Sequence, residues 1–359
     1  MPTENRNPNL DRAGLLTSPD YFFWGYKGSI AYFVNMNRGL YYKSIFCDGR
    51  IYPRNNEVIT MPLAQLLDRF EEENFPAPKL NYIFHMAHGG STLLSRALDL
   101  PGVNIVYREP AALRQLGVAA AEEQFGDQPT DIWQRVLRLS TVLLAKTYQQ
   151  NERVVIKANV PVNFIIPQLM AVNAHTRGLI LFERLDDYLL SVLKSQGHRD
   201  WLQNVVDELR NSIDALLGLP AGAKNKLSDA EAAAALWMTQ VHLFAKALQK
   251  YPNLRSLDSE HFYSKPKLVL SKACEFFRFR VKEQKLDAIV AGDLFQRYSK
   301  NPEQEFSNTL RLQKKDQLRT EIGAELRAAN DWVQHHVDCC PVPKCLTRPL
   351  TAQLTKLLA

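Results

Sequence analysis

The sequence predicts an α/β protein: a parallel sheet of the P-loop type with helices on both faces, a small N-terminal β-rich segment before it and a helical C-terminal appendage after it. Three observations carry this prediction. Five short apolar runs, at 82–86, 104–107, 154–156, 179–182 and 254–257, alternate with amphipathic helical stretches. Four of the five carry a polar or charged residue at or just past the C-terminal end, namely Glu109, Lys157, Arg184, and Asp258 with Glu260. The remaining run opens into Ala87-His-Gly-Gly-Ser-Thr92 and then a leucine-bearing helix.

Taken in chain order, residues 1–18 are polar, with neither a basic start nor a long apolar core, so no secretory signal is expected and the chain is expected in the cytoplasm. The stretches 21–34 and 39–51 are aromatic and β-branched and are broken by glycine-bearing turns, which predicts a small antiparallel meander. Residues 61–74 predict a helix ending in the acidic run Glu71-Glu-Glu73, and Pro76-Ala-Pro78 a stiff connector. Amphipathic helices are expected over 131–149 and 201–217, covering the sheet. Ser228-Asp-Ala-Glu231 is a capping box that opens a long helix to about 249, preceded by the loop 218–226. Trp237 falls on that helix, where packing on the sheet is expected over stacking on an adenine ring. A helix follows over 268–277, and charged helical sequence runs through 303–332. Three regions result: 1–78, 79–280 and 281–359.

Composition sets outer bounds. A chain of 359 residues with 46% hydrophobic content can bury a large core. Its net charge of +6 comes with no arginine- or lysine-rich block and no basic stripe interleaved with aromatics, so nucleic acid is not an expected partner. No apolar run approaches the length of a membrane span. An odd total of five cysteines predicts free thiols in a reducing compartment. His335, His336, Cys339, Cys340 and Cys345 cluster near the C-terminus, but their spacing fits no usual zinc plan and adjacent ligands chelate poorly, so no metal is expected.

The glycine pair holds the sharpest chemistry. Two glycines let backbone N–H groups crowd around an anion, and the helix that follows adds its positive dipole end and orphan amides. Ser91 and Thr92 add hydroxyl donors. The nucleoside-triphosphatase pattern G-x-x-x-x-G-K-[ST] is not met, since its first glycine is missing and no lysine follows Gly90. Taken alone, Gly-Gly-Ser-Thr is equally a plain strand-to-helix turn with a cap. What separates the two is the set of charges at the other strand ends, because ligands of open α/β sheets bind outside the carboxyl ends of the strands.

Those motifs together resemble the sulfotransferases that use 3′-phosphoadenosine-5′-phosphosulfate, especially their tyrosylprotein and bacterial branches. There the loop after the first strand reads Pro-Lys/Arg-Ser-Gly-Thr-Thr and holds the 5′-phosphosulfate; Ala87-His-Gly-Gly-Ser-Thr92 is similar, with His88 in the basic position. Tyr107-Arg-Glu109-Pro resembles the segment whose glutamate is the base, and Val154-Val-Ile-Lys157 the strand that ends in a lysine. The family pairs an arginine at the end of the next strand with a serine on the following helix. Arg184 and Ser191 are the matching pair, at a spacing of seven rather than the usual eight. Asp258-Ser-Glu-His-Phe-Tyr-Ser-Lys-Pro266 is similar to the family's acidic pair and proline before a helix, whereas an Arg-Lys-Gly segment is missing near the C-terminus. The resemblance covers about 82–277.

It implies an enzyme that transfers a sulfuryl group from that donor to a hydroxyl or amine of a small-molecule or peptide acceptor, with no metal. Glu109 and Lys157 are then the catalytic pair; His88, Gly89, Gly90, Ser91 and Thr92 hold the 5′ end, and Arg184 with Ser191 the 3′-phosphate. Two alternatives stand beside it: an ATP-using P-loop kinase with a degenerate loop, and a non-catalytic nucleotide-binding protein. Neither the acceptor nor the oligomeric state is written in the sequence.

Overall fold

The computed structural model describes residues 14–53, 55, 57–123, 130–219 and 227–358; the polar stretch 1–13 and most of the loop 218–226 lie outside them. The five apolar runs form one parallel sheet: β4 (Leu80–His85), β5 (Asn104–Arg108), β6 (Arg153–Lys157), β7 (Arg177–Phe182) and β8 (Leu254–Asp258). They lie in the order β5-β6-β4-β7-β8. All six residues of β4 are buried, because helices cover both faces and leave no side of the central strand for solvent. Alternation along β4 divides the core accordingly. Tyr82 and Phe84 join one apolar cluster with Ile156, Ile180 and Trp237, whereas Ile83 joins another with Val155, Leu179 and Phe262.

The N-terminal segment is a three-stranded antiparallel sheet of β1 (Tyr21–Lys27), β2 (Ile30–Asn35) and β3 (Val58–Pro62). Only its first two strands come from the aromatic stretches expected to form it. Residues 39–51 instead start in the helix Arg38–Lys43, where the Asn37 side chain caps by accepting from Leu40 N. Burial outweighs β propensity here: the Tyr41 ring meets Tyr107 edge-on at 5.0 Å, and its hydroxyl donates to Pro19 O at 2.7 Å. The third strand takes up Met61 and Pro62, so the following helix begins at Leu63.

Among the covering helices, Asp131–Leu143 is shorter than expected, and the 201–217 stretch is divided between Gln196–Glu208 and Arg210–Leu217. The capping box of Ser228 and Glu231 is formed and starts the helix Asp229–Lys250. On that helix Trp237 is fully buried and donates through Nε1 to Glu183 O at 3.0 Å.

The C-terminal region folds back on the core. A hairpin of β9 (Arg297–Tyr298) and β10 (Asn301–Glu305) precedes the helices Asn308–Glu321 and Gly323–His336, where the sequence suggested only helix from 303 onward. Ala329 and Val333 of the last helix are buried in the larger core cluster. Among the described residues no three His, Cys, Asp or Glu side chains converge as metal ligands; His336 lies flat on Trp332 with ring centroids 3.8 Å apart.

Candidate functional site

The chain crosses from β4 to β5 and β6 on one side of the sheet, then to β7 and β8 on the other, so the topological switch point lies at the carboxyl end of β4. The loop Met86-Ala-His-Gly-Gly90 leaves the sheet there. Its backbone is tightly curled: Ala87, His88 and Gly90 have left-handed φ of 75°, 55° and 87°. Two of these residues carry a Cβ, and such conformations persist only where the surroundings enforce them. The glycines are required by contact. A Cβ on Gly89 would meet the Glu183 carboxylate and Ser259 Oγ at 2.8 Å, and one on Gly90 the Tyr263 hydroxyl at 2.6 Å. Gly90 then caps the helix Ser91–Ala97.

This loop forms one wall of a cavity of about 760 Å³, a volume suited to a nucleotide-sized ligand. His88 Nε2 and Thr92 Oγ1 are buried beside it with no hydrogen-bond partner. Buried polar atoms are seldom left alone, so the pair points to a ligand that satisfies them. His88 is wedged between the rings of His198 and Trp201, with centroids 4.5 and 4.6 Å away. Burial, reinforced by Lys300, holds its imidazole well below the ordinary value, so it is neutral at pH 7. The basic position of the loop is therefore filled by a neutral ring.

Cations reach the cavity from elsewhere. Lys194 follows the helix Leu185–Val192, Lys300 lies between β9 and β10, and Arg311 and Lys315 project from the helix Asn308–Glu321. Arg311 also lies over the Tyr263 ring at 4.1 Å, and Lys194 is pushed down by burial. None of the four was singled out by the sequence. They occur in segments of mixed charge with no motif, and only the fold-back of the chain gathers them.

At the ends of β5 and β6 the structure joins two of the expected residues. Glu109, with φ of 57°, donates its backbone N–H to Lys157 O at 2.7 Å, and its carboxylate accepts from Lys157 Nζ. Arg50 Nη2 is 3.4 Å from the second carboxylate oxygen, and His85 Nε2 lies 3.9 Å from the first. Lys157 is buried; desolvation lowers its proton affinity while Glu109 raises it. Three cations surround the Phe46 ring: Arg50 at 3.6 Å, Lys157 at 5.3 Å and Lys300 at 5.7 Å from its centroid. Lys300, pushed down to about 8 by burial and by Lys157, thus links this pair to the cavity it lines.

The end of β7 differs in detail from the expectation. Ser191 lines the cavity, but the strand-end residue that lines it with Ser191 is Glu183; Arg184 is not among the lining residues, and its Nε is buried without a partner. Ser191 Oγ donates to Glu183 Oε1 at 2.9 Å. At the end of β8, Asp258 caps the next helix by accepting from Glu260 N, and Glu260 holds Arg311 and Lys315 at 2.5 to 2.6 Å.

No protein-family model matches the chain, and no curated protein does. Among solved structures it is similar to the sulfotransferase domain from the curacin biosynthetic pathway, at 15% identity and a TM-score of 0.38, over 77% of this chain and 94% of that one. It is also similar to a sulfotransferase from Alicyclobacillus acidocaldarius, at 12% identity and a TM-score of 0.36, over 72% and 97% of the two chains.

Proposed function

We propose that this chain is a sulfotransferase that moves the sulfuryl group of 3′-phosphoadenosine-5′-phosphosulfate to a hydroxyl or amine acceptor. The observation that carries this is the meeting of three parts at one sheet edge: a curled loop with unpartnered polar atoms, a cluster of cations, and a carboxylate bonded to a buried lysine. The donor supplies an activated sulfuryl group on a phosphate leaving group, and the residues present fit its 5′ end. Thr92 Oγ1 and His88 Nε2 can bond to its oxygens, and Lys194 and Lys300 offset its charge without a metal.

Glu109 acts as the general base. It takes the proton from the acceptor as the acceptor atom closes on sulfur, and its bond to Lys157 fixes the carboxylate in position. Lys157 stabilises negative charge as the sulfur–oxygen bond to the donor lengthens, and Lys300 stands beside the same Phe46 ring. The acceptor approaches past Phe46 and Arg50, beside Glu109.

Calorimetry with adenosine 3′,5′-bisphosphate and with ATP tests the assignment. Preference for the bisphosphate, followed by transfer of label from labelled donor to an acceptor found by screening, is expected. Preference for ATP would favour a kinase with a degenerate loop, and binding of neither would leave a protein that has kept the fold without this chemistry.

A further inference from the structure

Glu183 is a buried carboxyl in the lining of the cavity, a group for which an anionic ligand has no evident use. It lies eight residues before Ser191, the spacing at which the resembled family sets its arginine, so a carboxyl stands where a guanidinium is expected. The carboxyl is buried against Gly89 of the loop; Ser191 Oγ donates to one oxygen, and the other, Oε2, is buried in the cavity wall with no partner.

Charged and titratable groups face it from three elements. Asp187, Tyr188 and Lys194 come from the helix after β7 and its end; Arg311 and Lys315 come from Asn308–Glu321. Glu260 and Tyr263 come from the helix Ser259–Ser264. Both cations of Asn308–Glu321 are bonded to Glu260, which they hold down to about 2 against the effect of burial. Burial pushes the Glu183 acid up to about 7, with Lys315 and Ser191 opposing the rise and Asp187 and Glu260 adding to it.

We propose that Glu183 is a protonation gate for the anionic group of the nucleotide that seats beside Ser191. Resting on the donor assignment above, that group is the 3′-phosphate. The phosphate enters when the carboxyl carries a proton, whose O–H then donates to a phosphate oxygen, while Arg311 and Lys315 of the C-terminal helix supply the positive charge. An ionised Glu183 sets a buried carboxylate against the incoming anion, so the carboxylate form excludes the phosphate. Binding therefore takes up a proton from solvent, and the affinity falls as pH rises above the acid's own titration range.

The test is calorimetry on the full chain with adenosine 3′,5′-bisphosphate and with adenosine 5′-monophosphate from pH 6 to 9, each in two buffers of different ionisation heat. The bisphosphate is expected to bind with net proton uptake, its affinity falling by up to about tenfold per pH unit above about 7. The monophosphate, which lacks the gated group, should show a markedly shallower slope. Glu183→Gln keeps the shape and the Ser191 contact, removes the titration, and should bind the bisphosphate about tenfold or more tightly than the wild type at pH 8.5. Arg311→Ala should weaken the bisphosphate at every pH and, because Arg311 faces Glu183, move the onset of the fall to higher pH without abolishing it. Tight bisphosphate binding with no proton uptake, or parallel profiles for wild type and Glu183→Gln, overturns the gate and leaves the donor assignment standing. Failure of the bisphosphate to bind either protein at any pH overturns both.

Discussion

The two walls of the cavity are built on different principles. The sheet-edge wall consists of strand ends and a loop locked in a core where Ile83, Phe84, Val155 and Leu179 are fully buried. Lys157 and Glu109, bonded to each other at the ends of β6 and β5, stand beside this wall and reach the cavity through Lys300 rather than lining it. The C-terminal wall is a two-stranded hairpin and the helix Asn308–Glu321, and no residue of that helix is buried. It is held by polar ties and a few rings: Arg96 Nη1 donates to Ser299 O at 2.9 Å, Lys315 pairs with Asp187 at 3.1 Å, and Phe306 meets Tyr298 at 5.2 Å and Tyr263 at 6.0 Å. Apolar burial fixes the first wall at any ionic strength, whereas partly exposed ion pairs fix the second and weaken as salt rises. On the proposed function, the rigid wall suits the reacting groups and the weaker wall the groups that would grip and release the nucleotide.

The largest expected effects come from the rigid wall. Glu109→Gln keeps size and removes the proposed base, so turnover should fall about a hundredfold or more at saturating donor while bisphosphate affinity stays near wild type. Lys157→Ala should lower both turnover and affinity, because Lys157 would touch the donor in ground and transition states alike. A Glu109→Gln enzyme with wild-type turnover in the labelled-donor assay would return Glu109 to a purely structural role at the end of β5.

Substitutions in the weaker wall should act on binding first. Arg311→Ala should weaken adenosine 3′,5′-bisphosphate by about 1.5–3 kcal/mol, the usual scale for a contact to a charged group, with little change in the melting temperature. Raising the salt from low to moderate concentration should shrink the difference between mutant and wild type. An Arg311→Ala protein that binds normally but melts much lower would make the helix Asn308–Glu321 part of the scaffold instead.

How far each wall was legible follows the same division. The five strands of the sheet stand out because a strand covered on both faces must be apolar throughout, and the glycine pair marks where the central one ends. Glu109 and Lys157 were legible as charges at strand ends. The C-terminal wall was not, because the helix Asn308–Glu321 lacks an apolar stripe and nothing local says that Lys300, Arg311 and Lys315 return to β4. The stretch 39–51 misled for the opposite reason: Tyr41 is buried by partners distant in sequence, Phe22 and Tyr107, while its neighbour Tyr42 is exposed. At the end of β7 the residue that lines the cavity with Ser191 is Glu183, one position before Arg184. Neighbouring side chains at a strand end turn to opposite sides, so Glu183 and Arg184 do not share an environment. Counting eight residues back from Ser191 would have reached Glu183.

The buried histidines give a smaller effect that belongs to the rigid wall. His85 and His88 are both held well below the ordinary imidazole value, chiefly by burial. The unfolded chain therefore binds more protons than the folded one once pH drops below about 6.5, and stability is lost as pH falls through that window. Each histidine can contribute a slope of at most about 1.4 kcal/mol per pH unit, so His88→Gln should flatten part of the acid side of a denaturation profile. Between pH 7 and 9 the same substitution should leave the pH dependence of nucleotide affinity unchanged, since a neutral ring has no proton to lose there. A change in that alkaline slope would mean that His88 is charged in the complex.

The smallest expected effect is that of Arg184→Ala, and it is the one that sharpens the contrast within β7 and the helix after it. Arg184 precedes the helix Leu185–Val192 as its N-cap, with no side-chain cap bond, and it is absent from the lining of the cavity that Glu183 and Ser191 share. The cavity is lined instead by the cations Lys194, Arg297, Lys300, Arg311, Lys314 and Lys315, of which Arg311 and Lys315 also hold Glu260. Arg184→Ala should therefore change bisphosphate affinity by no more than about twofold, within the range of a surface substitution, while Arg311→Ala changes it by tenfold or more. Calorimetry on both proteins at pH 6.5, where the gate is largely open, compares them directly. A loss of tenfold or more in Arg184→Ala, seen with the bisphosphate and not with the monophosphate, would move the 3′-phosphate grip back to the strand end and make Arg311 and Lys315 bystanders.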